Sequence, residues 1–224
     1  MIELLAGLIA GALHVWSGPD HLAAIAPLAV RRRTRSWAIG VRWGVGHSIG
    51  VVLVALVALW VRDLIPPDLL SAWGERLVGI LLVGIGLWGL RIAYREHIHA
   101  HRHRHDGHEH THIHAHAHGH EPERAAPPHV HFHAAMGIGV LHGVAGGSHF
   151  LGVLPALAFP TVAQATTYLA AFAAGTIVSM ATFGALMDWL ARRSEFAGAS
   201  GYRLLMTAAS TAATAVGCVW IATS

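Results

Sequence analysis

Three stretches of this chain, residues 43–61, 161–187 and 204–223, contain no aspartate, glutamate, lysine or arginine. Each is about the length an α-helix needs to cross the hydrocarbon core of a bilayer, roughly 20 residues at 1.5 Å per residue. Composition agrees: 54% of residues are hydrophobic and 12% charged, against about a quarter charged in a soluble domain. Three interrupted runs, 4–30, 77–94 (broken by Arg91) and 134–159, bring the predicted spans to six. The runs are continuously apolar, not alternating, so a transmembrane barrel is excluded. The expected fold class is an all-α membrane protein of six transmembrane helices.

The basic residues predict its orientation. All fifteen are arginine. Arg31, Arg32, Arg33, Arg35 and Arg42 fall between spans 1 and 2, while Arg91, Arg95, Arg102, Arg104 and Arg124 follow span 3. Arg192, Arg193 and Arg203 separate spans 5 and 6, which leaves Arg62 and Arg76 alone on the other side. By the positive-inside rule both termini face outward across an inner membrane, and the long polar loop is cytoplasmic. That topology accounts for the pI near 9.7, so no nucleic-acid partner is expected. Residues 1–10 lack the basic region of a cleaved signal peptide, and the first helix is expected to be retained. Cys218 is the only cysteine, which excludes a disulfide framework or a thiolate cluster. It is expected to pack as a small apolar residue.

The first span nevertheless carries costly residues near its middle. "HVWSGPDH" places His14, Asp20 and His21 around a Gly-Pro step, where an ionisable side chain costs about 2.5–3.5 kcal/mol on insertion scales. A capping role, with Ser17 starting a new helix, would supply only about 1 kcal/mol. A second stretch, "LHGVAGGSH" (141–149), repeats the pattern 128 residues later. His142 falls on His14, His149 on His21, Gly146 on Gly18 and Pro155 on Pro27. Ser148 stands where the first half has Asp20, and Gly175-Thr176 where it has His47-Ser48. Three helices per half force opposite orientations, so the halves, 1–95 and 134–224, form an inverted repeat with broken helices 1 and 4. Secondary transporters use that plan and bind cargo at the breaks.

The candidate metal ligands are His14, Asp20, His21, His47, Ser48, His142 and His149. Seven residues is nearly two turns, which aligns His14 with His21 if the helix opens only locally. The glycines of "GVGHSIG" around His47 permit close helix approach. Imidazoles with one carboxylate suit borderline divalent metals such as nickel, cobalt or zinc. No cofactor is expected; the metal is cargo. Asp188, near the end of span 5, is expected at the interface.

At these residues the sequence resembles the nickel/cobalt transporter superfamily, in particular its six-span branch of urease-accessory nickel permeases and nickel/cobalt efflux proteins. The resemblance rests on "HVWSGPDHLAA" (14–24), "GHS" (46–48), "LHGVAGGSH" and the His-rich loop. It implies transport of Ni²⁺ or Co²⁺ with the span-1 His and Asp-His residues as ligands. Five residues separate His14 from Asp20, where the eight-span uptake permeases have four.

Residues 96–133 form the loop, with twelve histidines in 97–120 and three more in "HVHFH" (129–133). Alternating His-x-His cannot build a packed core and is expected to be disordered. It could buffer cytoplasmic metal, or exchange it with a donor or acceptor protein. The rival readings are a zinc carrier, a sulfite-type anion exporter and a non-transporting metal sensor or store. An enzyme is not expected: Ser148 and His149 are adjacent but point differently.

Overall fold

The computed structural model describes residues 1–31, 35–61, 67–95, 97–105, 108–116, 129–145, 153–195 and 198–223. Its body is helical. Helices α1 (Ile2–Ser17) and α2 (Pro19–Arg31) meet at a 71° bend. They are followed by α3 (Ser36–Val61), α4 (Pro67–Arg95), α5 (His129–Ala145), a 3-10 segment (Leu154–Ala158), α6 (Val162–Glu195) and α7 (Gly198–Thr223). Among the described residues, Trp73–Tyr94, Val162–Ser194 and Ser200–Thr223 are each long and apolar enough to cross a membrane, and the bent α1–α2 pair makes a fourth. Leu13, Leu77, Ile80, Val178 and Leu204 all stand exposed on the outside of the bundle. An apolar surface of that extent is unfavourable in water and natural in lipid. This is a helical membrane protein.

The break in the first span follows from local chemistry. Pro19 has no N–H and opens α2, where a missing donor costs nothing. Gly18 adopts an ordinary extended conformation, φ −91° and ψ 99°. What it provides is space, because a Cβ there would fall on the His21 ring and the Asp20 carboxylate. Ser17 does not cap α2; its hydroxyl donates to the Leu13 carbonyl one turn back, at 2.6 Å. The matching break at Gly146-Gly147 lies outside the described residues.

Small residues set the packing. Gly7 and Gly11 of α1 lie against the carbonyls of Tyr168 and Phe172 on α6, so these helices run parallel. Gly46 and Gly50 of α3 lie against the Met136 and Val140 carbonyls of α5, also parallel. Antiparallel contacts join α3 to α6 (Gly40 on Met180, Gly184 on Ser36) and α4 to α7 (Gly79 on Gly217, Gly86 on Ser210). At each contact a side chain would collide with backbone, the small-residue packing that brings membrane helices close. The main core joins Val15, Ala24, Ile25, Ile39, Trp43, Leu82, Met180 and Ala213. A second cluster of Val30, Ile92, Ala93, Tyr202 and Met206, with Met187 beside it, gathers the ends of α2, α4, α6 and the start of α7. The helix ends bearing Arg31, Arg91, Arg192, Arg193 and Arg203 thus meet at one end of the bundle.

Three expectations are corrected. Cys218 is exposed on α7, not packed inside. The histidine tract is not structureless throughout: β1 (His97–His105) and β2 (His108–His116) form an antiparallel pair, with His97 opposite His116 and His105 opposite His108. Strand pairing needs only backbone hydrogen bonds, and the period of two in His-x-His is that of the pleat. Finally, His129, His131 and His133 belong to the start of α5 and do not close the loop.

Candidate metal site

The bend turns α2 so that the residues on either side of Gly18 face one another across it. His14, in the last turn of α1, and His21, in the first turn of α2, bring their Nε2 atoms to 3.0 Å. The expectation of a locally opened straight helix is therefore replaced: two helices aim these rings at each other. His47 comes from the middle of α3, with its Nε2 3.4 Å from that of His14. His142, near the end of α5, places its Nε2 2.9 Å from Asp20 Oδ2. Asp20 Oδ1 lies 3.1 Å from His21 Nδ1.

Five of the seven predicted residues are thus brought together from four helices. Asp20, His21, His47 and His142 are buried, and His14 is half-buried at one side of the group. Ser48 is beside the cluster in sequence but spends its hydroxyl on the Gly44 carbonyl of its own helix, at 2.9 Å. His149 and Ser148 lie outside the described residues. Asp188 is buried with its carboxylate 2.7 Å from the exposed Arg192 guanidinium one turn on. That is a helix-end ion pair of α6.

A carboxylate inside a bilayer-spanning bundle is stable only with hydrogen-bond donors on its oxygens. Two ring nitrogens meet that need for Asp20. The imidazoles form two overlapping trios with metal-binding donor types, His14–His21–His47 and Asp20–His21–His142, each with its ligand atoms within 4.8 Å of one another. Two donors on one ion at about 2.0–2.1 Å sit about 3.0 Å apart in octahedral and about 3.4 Å apart in tetrahedral geometry. The separations of His14 Nε2 from His21 Nε2, 3.0 Å, and from His47 Nε2, 3.4 Å, fall in that range.

Two aromatic residues that sequence reasoning missed complete the site. Trp43 stacks on His47 with centroids 4.9 Å apart and planes 7° apart, and its ring also lies 5.2 Å from that of His142. Phe172 of α6 lies 5.4 Å from His14. The signal for Trp43 was present, since residues four apart share a helix face. These contacts also refine the internal alignment. His142 meets Trp43 as His14 meets Phe172, and Gly139 meets the Trp43 carbonyl as Gly11 meets that of Phe172. At these contacts α3 and α6 therefore correspond at an offset of 129, not 128. Thr176, which is buried, takes the place of His47 in the second half.

A helical membrane protein with a buried histidine–aspartate cluster is the class that fold and site define. Similarity to known proteins runs in two directions. The chain is 34% identical over 182 residues to the chloroplast protein FOR GROWTH AND FERTILITY 1 of Arabidopsis thaliana, covering 81% of this chain and 48% of that protein. It is 32% identical over 178 residues to FOR GROWTH AND FERTILITY 2, covering 79% and 44%. This chain thus spans about half the length of those two relatives. A more distant similarity, 27% over 192 residues, is to the urease accessory protein UreH of Bacillus sp. (strain TB-90), covering 82% of this chain and 75% of UreH. No family model matches the chain. No solved structure matches it either.

Proposed function

We propose that this protein is a secondary transporter, not an enzyme, that moves Ni²⁺ or Co²⁺ across the inner membrane. The observation that carries the reading is the convergence of four imidazoles and one carboxylate, from α1, α2, α3 and α5, inside the apolar bundle. Intramembrane ionisable residues mark ion pathways, and this donor set suits a borderline divalent metal. The distant similarity to a urease accessory protein points the same way. The two chloroplast relatives have names that speak of growth and fertility and of no cargo. An anion exporter would not place a carboxylate at the centre of its site.

Helix directions support six spans in two inverted halves. Parallel pairing of α1 with α6 and of α5 with α3, and antiparallel pairing of α3 with α6 and of α4 with α7, is what alternating spans require. The paired contacts of Gly11 and Gly139, and of Gly46 and Gly175 (which meets the Leu8 carbonyl), support a pseudo-twofold exchange of the halves. In this reading the arginine-bearing end is cytoplasmic, as is the histidine hairpin, which captures or releases metal there and exchanges it with a donor or acceptor protein. Rocking of one half against the other carries the ion across.

Everted vesicles containing the protein, loaded with Ni²⁺, Co²⁺ or Zn²⁺, test the reading. Metal flux above that of empty vesicles is expected for Ni²⁺ and Co²⁺ and is lost in His14→Ala and His47→Ala. Flux of Zn²⁺ alone would assign a zinc carrier. Binding without flux of any of the three would assign a sensor or store.

A further inference from the structure

The transport reading, on which this inference rests, does not say which of the five clustered side chains touch the ion. The geometry points to a division: His14, His21 and His47 hold the cargo through their Nε2 atoms, while Asp20 and His142 are positioning residues that orient His21 and do not bind the ion.

One ligand atom from each of His14, His21 and His47 lies within 4.8 Å of the other two, and His14 Nε2 has both partners close by. His14 Nε2 is 3.0 Å from His21 Nε2 and 3.4 Å from His47 Nε2, the spacing of ligands around one ion. Asp20 is occupied differently. Its two oxygens are divided between two rings, with Oδ1 at 3.1 Å from His21 Nδ1 and Oδ2 at 2.9 Å from His142 Nε2. These are the lengths of N–H···O hydrogen bonds to a carboxylate. His21 Nδ1 and Nε2 point away from opposite edges of one imidazole, so an ion at Nε2 cannot also be reached by the oxygen bonded to Nδ1. When Nδ1–H donates to Asp20, the lone pair of His21 lies on Nε2, which is the atom that faces His14. A carboxylate behind a ligating histidine fixes its tautomer and ring orientation in this way.

The other rings are held by comparable means. His142 donates to the far oxygen of Asp20, so the carboxylate cannot swing out of line. His47 lies flat on Trp43, which leaves its edge directed toward the trio. Three neutral nitrogens leave one coordination position open, as in sites that exchange a ligand, and no charged atom bonds the ion directly. Both properties suit an ion that must leave again. The division also makes the first half the ligand half, with α5 supplying support.

The test uses the full-length chain with its fifteen histidines between 97 and 133 replaced by glutamine, so that the loop contributes no imidazole. Co²⁺ alone is the probe, and X-ray absorption counts the imidazoles and oxygens bound to it. Three imidazoles are expected. His14→Gln and His47→Gln should each reduce the count by one. Asp20→Asn and His142→Gln should keep all three, with Asp20→Asn weakening Co²⁺ binding about 10–100-fold, the usual effect of removing such a partner. Loss of a carboxylate oxygen in Asp20→Asn, or of an imidazole in His142→Gln, would overturn the division while leaving the transport reading intact. Failure of the loop-substituted parent to hold any Co²⁺, while it remains folded by circular dichroism, would overturn the transport reading itself.

Discussion

At the scale of single residues, the site depends on what is absent as much as on what is present. Gly18 has an unstrained backbone, but any Cβ there would fall on His21 Nδ1 and Asp20 Oδ1. Gly18→Ala is expected to displace the His21–Asp20 hydrogen bond and weaken metal binding at least as much as Asp20→Asn, with little change in melting temperature; calorimetric titration beside thermal unfolding checks this. Ser48→Ala is expected to leave flux in everted vesicles unchanged, because that hydroxyl serves its own helix. Protons compete with metal for imidazole lone pairs, so Co²⁺ affinity should fall as pH is lowered, which a binding series across pH measures. The identities of His14, Asp20, His21, His47 and His142 were legible because charge-bearing types stand out in an apolar run. Phe172 was not, since aromatic residues are ordinary in such runs and packing alone shows that it faces His14, whereas Trp43 had only its place one turn before His47 to mark it.

At the scale of elements, glycine decides how near the helices come. Gly11→Val and Gly139→Val would each drive a side chain into a facing carbonyl, of Phe172 and Trp43 respectively. Overpacking of this kind costs about 1–3 kcal/mol. Both variants should therefore unfold at lower temperature in detergent, and both should lose flux because His14 and His142 ride on the displaced helices. The break between α1 and α2 was readable from Gly18-Pro19, since a missing donor and a missing side chain are local properties. Its 71° angle was not, because that angle is set by what α2 packs against. The histidine tract shows the opposite case: judged by its lack of a core it had no structure, yet its residues pair as two antiparallel strands whose period of two matches His-x-His.

At the scale of the whole molecule, the proposed pairing of two halves of dissimilar sequence is supported by the corresponding contacts of Gly11 and Gly139 and of Gly46 and Gly175. The match was visible in two histidines, a glycine and a proline. It broke down between α3 and α6, where packing contacts correspond one residue away from the offset that the histidines suggested. Thr176 of α6 stands where α3 has His47, so four of the five clustered side chains, His14, Asp20, His21 and His47, come from α1–α3. A reporter inserted after residue 120 is expected to read as cytoplasmic and one fused after residue 224 as external. Fusions to an enzyme active on only one side of the membrane check this.

Taken by itself, the sequence determined the solvent in which this chain folds, the place of its helix break and the donor types available to a ligand. Hydrophobicity, donor loss at proline and side-chain chemistry are all properties of residues and near neighbours. Which nitrogens face one another, and which oxygen stands behind which ring, was decided only by tertiary structure. Those relations join residues as far apart as Asp20 and His142, and only the close packing of four helices brings them within hydrogen-bonding distance.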